Sequence, residues 1–195
     1  MINPRGQISV QRSIYREPMK TVQTGNANNK LSLRKASVLD VPFIFKLMME
    51  GSESGVFSNH FRVGAGGARL LWLVLSGVLS QKWSLTGKPS KFKWQVIVDS
   101  HQEETGFLKL SDNDLSSGIQ DLELLSVSPG YRDRGIGTEV LHRLVADQPD
   151  GVLLRVHCTK YARAMQHILK RNSFKRTTKV ISPGLERYHS VNRSL

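Results

Sequence analysis

The residues best suited to chemistry lie between Glu123 and Thr138. An apolar run ends at Ser128-Pro129, and Gly130-Tyr131-Arg132-Asp133-Arg134-Gly135-Ile136-Gly137-Thr138 follows. A buried strand that stops in a tight turn and restarts as a helix near Gly135 points several backbone amides outward, at the positive end of that helix. Gly135 and Gly137 remove the side chains that would keep a pyrophosphate away from the backbone. Arg132 and Arg134 add positive charge, and Thr138 adds a hydroxyl donor. The segment therefore predicts a binding site for a phosphate-rich ligand.

The elements that must position this turn follow from periodicity. Leu31 to Ala36 alternates apolar and polar residues, as a half-buried strand does. Asp40 is placed to cap a helix with Pro42 in its first turn, and apolar residues continue at helical spacing to Gly51. Residues 52–67 read as a loop, and a second amphipathic helix runs from about Ala68 to Trp83. Trp94 to Val98 and Thr105 to Leu110 read as strands joined by a turn. Leu122 to Val127 is a strongly apolar strand, Gly135 to Val145 a helix, Val152 to Cys158 a strand and Tyr161 to Lys170 a helix. Phe174 to Val180 and Leu185 to Val191 pair across Ser182-Pro183-Gly184. The order β-α-α-β-β-β-α-β-α-β-β predicts an α/β (α+β) fold with a mixed sheet flanked by helices.

On this pattern the chain resembles the GCN5-related N-acetyltransferases (GNAT). Their Arg/Gln-x-x-Gly-x-Gly/Ala signature after the fourth strand is matched by Arg132-Asp133-Arg134-Gly135-Ile136-Gly137, and Leu125-Ser126-Val127-x-Pro129-x-Tyr131 is similar to the usual lead-in. The element order agrees from Leu31 to Val191. The resemblance implies a mostly antiparallel sheet of about seven strands with about four helices. It also implies acetyl-CoA as cosubstrate and direct transfer to an amine in a ternary complex; no metal is expected, since no histidine pair has ligand spacing. The pantetheine arm would enter a gap between Leu122–Val127 and Val152–Cys158. Residues Leu125, Ser126 and Val127 would meet that arm, and Arg132, Asp133, Arg134, Gly135, Ile136, Gly137 and Thr138 the phosphates.

The same mechanism asks for a base and an acid. Glu123, on an apolar strand, is the base candidate; its alternative is an outward carboxylate or a partner for Arg155. The acid is open among Tyr161, Cys158 and solvent. The chain departs from the family here, with Ser173-Phe174 for Gly-Phe and Leu169 at the usual tyrosine. Cys158 as a nucleophile has Lys160 and His157 beside it, but neighbours on a strand face opposite ways, and a buried packing residue is the stronger reading. His60 is the histidine of the presumed acceptor loop. His142 and His167 fall on helices, and no histidine pair has metal-ligand spacing. Gly64-Ala65-Gly66-Gly67 lacks the spacing of a dinucleotide fingerprint and reads as a hinge.

The 195 residues suit one domain, from residue 31 to residue 195. Residues 1–30, polar and basic, read as a mobile arm, with an organelle transit peptide as the weaker reading. The longest apolar run, Leu70 to Leu79, is about half of what crosses a bilayer, so no membrane partner is expected. The single cysteine excludes an internal disulfide, which leaves a cytoplasmic protein as the default. The net charge of +12 is uneven: residues 155–195 hold ten bases and one acid, Glu186. The acceptor is left open among a protein amine, an aminoacyl-RNA and an acidic metabolite, and a homodimer is admitted. Two rivals stand: a coenzyme-binding member without turnover, and a basic nucleic-acid-binding protein. The second lacks a recognition helix and interleaved aromatic residues.

Overall fold

The computed structural model describes residues 31–57, 66–81, 91–112, 118–177 and 185–190. The basic arm, His60, Gly64-Ala65 and the turn Ser182-Pro183-Gly184 lie outside them.

The strands are β1 (Ser32–Lys35), β2 (Phe92–Val98), β3 (Glu104–Ser111), β4 (Ile119–Val127), β5 (Leu153–Thr159), β6 (Lys175–Arg176) and β7 (Leu185–His189). The helices are α1 (Val41–Glu53), α2 (Gly66–Ser80), α3 (Ile136–Ala146) and α4 (Arg163–Arg171). They occur in the order that the hydrophobic pattern gives. The strands form one seven-stranded sheet ordered β1-β2-β3-β4-β5-β7-β6. Every pairing is antiparallel except β4 with β5, whose crossover is α3.

Two apolar layers hold the sheet. On one side Trp94, Val96, Val98 and Phe107 pack against Ile44, Leu47, Met48, Leu70, Val74 and Val78 of α1 and α2. On the other, Leu108, Leu122, Leu154, Val156 and Tyr188 pack against Val140, Leu141, Leu144 and Leu169 of α3 and α4. Each fully buried Leu, Ile or Val contributes about 1.5–3 kcal/mol relative to exposure, so these layers carry most of the fold's stability.

The structure shifts several boundaries. Asp40 does not cap α1 through its side chain. Its buried carboxylate accepts from the Ser37 amide at 2.6 Å and hydroxyl at 2.8 Å, and takes both terminal nitrogens of Arg34 at 2.7 and 2.8 Å. Burial alone would push that carboxyl up; Arg34 and Ser37 outweigh it and hold the carboxyl below the ordinary range. Helix α1 runs past Gly51 because the Ser52 hydroxyl returns to the Met48 carbonyl at 2.9 Å and the Ser54 amide to Glu50 at 3.1 Å. Tyr161 precedes α4 rather than opening it, in a turn closed by the Ala162 amide on the Thr159 carbonyl at 3.1 Å.

Candidate functional site

The parallel pairing of β4 with β5 is short. It joins Ile119–Leu122 to Leu153–Val156 and ends there. Beyond that point β4 continues against β3 and β5 against β7, so the two central strands part. The parting coincides with a bulge: Lys109 faces Leu124 and Leu110 faces Leu122, which leaves Glu123 as the extra residue of β4. Glu123 and His157 are the first residues beyond the last β4–β5 pair.

Antiparallel alternation decides which backbone groups face the opening. The Ser128 amide donates to the Thr105 carbonyl at 2.8 Å, so Ser128, Ser126 and Leu124 spend their backbone polar groups on β3. Leu125 and Val127 turn theirs toward the gap. The Val127 carbonyl already accepts from Arg132 Nε at 3.0 Å, which leaves the Val127 amide and both Leu125 groups. Ser126, grouped with these two by sequence, differs from them in this respect.

The turn after β4 has a distinct conformation. Pro129–Tyr131 make one 3-10 turn, and Asp133 (φ 61°) and Gly135 (φ 80°) then take left-handed conformations. Gly135 is the N-cap of α3, where that φ favours glycine. Among the described residues the six amides from Asp133 to Thr138 have no acceptor; the next, Glu139, donates to the Gly135 carbonyl at 3.0 Å. They sit at the positive end of α3. Arg134 lies over the Tyr131 ring at 5.2 Å, and Arg132 is folded back onto β4. Ile136 is 7% exposed and anchors α3 in the core, so only its amide faces outward. A β-carbon on Gly137 would come within 3.2 Å of Ile168 Cδ1, whereas one on Gly135 would meet nothing within 4 Å. Gly137 is thus a glycine of the α3–α4 contact, and the open turn belongs to Gly135.

The sequence candidates for proton transfer are dispersed. Glu123 keeps a 30% exposed side chain and binds Lys109 Nζ at 2.5 Å, in place of the apolar burial expected for it. Its alternative partner, Arg155, is taken by Asp121 through two bonds of 2.5 and 2.7 Å. Cys158 is 3% exposed in the α3–α4 layer, and burial first, then the Glu186 charge, push its thiol up to about 12, which favours the packing reading. A thiol so placed is disfavoured as a nucleophile and as the donor to a leaving thiolate. Tyr161 is 59% exposed, its ring beside Gly55 and under Lys160 Nζ at 5.0 Å from the ring centre. Leu169 is fully buried in the α3–α4 layer. His142 pairs with Asn172 across the α3–α4 surface. Among the described residues no group of three His, Cys, Asp or Glu side chains could hold a metal ion, and no helix is long and apolar enough to cross a membrane.

One pair escaped the sequence reading. Residues Arg155, His157 and Thr159 alternate with buried Leu154, Val156 and Cys158 on β5, and His157 stands opposite Arg187 of β7. Arg187 Nε donates to His157 Nε2 at 3.2 Å. The signal was present in the period-two pattern of β5 and in the excess of bases after residue 155, but only the fold brings β7 beside β5.

No family model and no curated protein matches this sequence. Solved structures do match in fold. An acetyltransferase from Thermus thermophilus is 19% identical with a TM-score of 0.62, over 83% of this chain and 96% of that one. RimL, a ribosomal L7/L12 alpha-N-protein acetyltransferase in complex with coenzyme A, is 14% identical with a TM-score of 0.60, over 83% and 94%. A spermidine N-acetyltransferase from Vibrio cholerae, in complex with CoA and spermine, is 12% identical with a TM-score of 0.59, over 82% and 94%. The chain therefore has the fold of the GNAT acetyltransferases.

Proposed function

We propose that the domain from residue 31 onward is an acetyltransferase that moves the acetyl group of acetyl-CoA to a primary amine by direct attack. The observation that carries this reading is a single juxtaposition. Strand β4, which parts from β5 after Leu122, leads directly into the turn whose six amides, residues 133–138, have no acceptor among the described residues. A narrow gap lined by backbone donors and acceptors suits an amide-bearing arm, and a row of amides at a helix N-terminus suits a pyrophosphate. The solved structures of RimL and of the Vibrio cholerae spermidine N-acetyltransferase hold coenzyme A.

In this reading the amides of residues 133–138 hold the phosphates. Arg132 is fixed on the Val127 carbonyl, and its terminal nitrogens add charge at the turn's base. The free Val127 amide polarises the acetyl carbonyl as negative charge develops on its oxygen. The amine nitrogen bonds to the carbonyl carbon, the carbon–sulfur bond breaks with its electrons going to sulfur, and the amine gives up a proton. Glu123 at the mouth of the gap takes that proton directly or through a water, held in place by Lys109. The thiolate is reprotonated by Tyr161 or solvent. Burial of Leu169 where the family has tyrosine favours, as second reading, a chain that binds the coenzyme without turnover.

Release of free thiol from acetyl-CoA, measured over a panel of primary amines, separates the two. The proposal expects turnover that falls on the order of 10²- to 10⁴-fold in Glu123→Gln, with coenzyme affinity retained and the deficit narrowing as pH rises. Tight coenzyme binding with no thiol released to any amine would establish the second reading. An unchanged rate in Glu123→Gln would move the base elsewhere.

A further inference from the structure

On the face of the sheet turned toward α1 and α2, the strands beyond β4 carry polar groups instead of a helix-covered apolar layer. Register places Lys109, Asp121, Arg155, His157, Arg187 and His189 on this face, around the point where β4 and β5 part. Its carboxylates are spent. Asp121 is held by Arg155 through two bonds, and Glu123 reaches in to bind Lys109. Glu186 lies on the opposite face, bound by Arg176 at 3.0 Å and by the Tyr188 hydroxyl at 2.8 Å. Among the described residues Arg187 has no carboxylate partner.

What Arg187 does have is a holder. Its Nε donates to His157 Nε2, so that nitrogen carries the lone pair and Nδ1 the hydrogen. Burial first, and then the Arg187 and Arg155 charges, push His157 below its ordinary value against the pull of Asp121 and Glu123, so the ring is neutral near pH 7 and remains an acceptor. With its lone pair engaged, His157 is no base for the acceptor amine. Its effect is to fix one edge of a planar cation on the face that borders the parting of β4 and β5, and to leave the two terminal nitrogens, with four N–H donors, without a carboxylate among the described residues. A guanidinium fixed through Nε presents the fork that matches a carboxylate.

We propose that Arg187, aimed by His157, binds a carboxylate of the acceptor, so that the amine acetylated here belongs to a molecule that also carries a carboxylate. This rests on the acetyl-transfer reading and narrows it. A polyamine would bring positive charge to a face whose acids are already neutralised, so spermidine, named for one structure of the same fold, is excluded as the preferred acceptor. A free acidic amino acid and the amino end of an acidic peptide share the required chemistry. Arg187 is a binding residue in this assignment and His157 a positioning residue.

The test is calorimetric titration of the full chain saturated with coenzyme A. The titrants are L-glutamate, glutamate with both carboxylates amidated, a short peptide with an acidic first residue, and spermidine. Glutamate, the peptide or both bind at least about tenfold more tightly than the amidated compound and spermidine, and which of the two binds identifies the source of the carboxylate. Arg187→Gln weakens the carboxylate ligand by about 10- to 100-fold and leaves the amidated compound unchanged. Arg187→Lys, which keeps the charge and loses the fork, falls between. His157→Ala reproduces part of the loss, and His157→Gln, which restores an acceptor for Nε, recovers it. Spermidine binding as tightly as glutamate, or glutamate affinity indifferent to Arg187→Gln, overturns the proposal. The two readings fail separately. Thiol release to amines regardless of a carboxylate leaves acetyl transfer standing without this site. Arg187-dependent binding of glutamate to a chain that binds no coenzyme leaves the site standing without acetyl transfer.

Discussion

The two halves of the sheet, β1–β3 and β5–β7, differ in what lies on the face turned toward α1 and α2. Over β1–β3 that face is Trp94, Val96, Val98 and Phe107 under two helices, with Trp94 and Phe107 stacked at 6.1 Å. Over β5–β7 the same face is Arg155, His157, Arg187 and His189. The first half excludes water and gains stability from burial. The second carries cations and histidines beside the strands that part, a costly surface to bury. Strand β4 divides them, and its bulge at Glu123 is where one regime gives way to the other.

Gly77 offers the sharpest way to break that contrast. It lies on α2 where a β-carbon would stand 2.6 Å from Nε1 of the fully buried Trp94. Gly77→Ala gains helix propensity but overpacks the apolar layer, for a net loss of about 2 kcal/mol. Chemical denaturation should show this while coenzyme affinity per folded molecule stays as in the wild type. A matching loss of coenzyme affinity would mean that the two halves are coupled rather than divided.

A smaller change sits on the other side. Ser173 adopts φ 62° after α4, with the Phe174 amide closing on the Leu169 carbonyl at 3.0 Å. A non-glycine residue in that conformation is strained, so Ser173→Gly should stabilise the chain by about 1 kcal/mol with turnover unaltered. Thermal unfolding checks it, and a loss of stability would show that the Ser173 side chain contributes something the backbone conformation does not.

The fold was largely legible because its elements carry their own period. Alternation on β5, the helical spacing after Asp40 and the strand–turn–helix around Gly135 all survive in the structure with ends moved by a few residues. The moved ends have local causes that pattern reading does not weigh, such as the Ser52 and Ser54 bonds that carry α1 past Gly51. The site was legible where it is contiguous, in the turn from Asp133 to Thr138. It was illegible where strands distant in sequence meet. Lys109 for Glu123, Asp121 for Arg155 and Arg187 for His157 are partnerships set by register, and register depends on the bulge and on β7 lying between β5 and β6. Gly137 shows the same limit within the motif itself, since its bare α-carbon answers to Ile168 of another helix.

The central claim is that the turn after β4 receives the phosphates of acetyl-CoA, and the melting temperature in the presence of that ligand tests it most directly. Wild-type chain at about a hundredfold excess over the dissociation constant should gain roughly 2.7 kcal/mol by linkage. Gly135→Val, whose β-carbon meets nothing within 4 Å but which places a β-branched residue at φ 80° beside amides that have no acceptor among the described residues, should fold with a modest loss of stability and gain nothing from the ligand. A wild-type melting curve unmoved by millimolar acetyl-CoA and by free coenzyme A, or a Gly135→Val chain stabilised as much as the wild type, would contradict it.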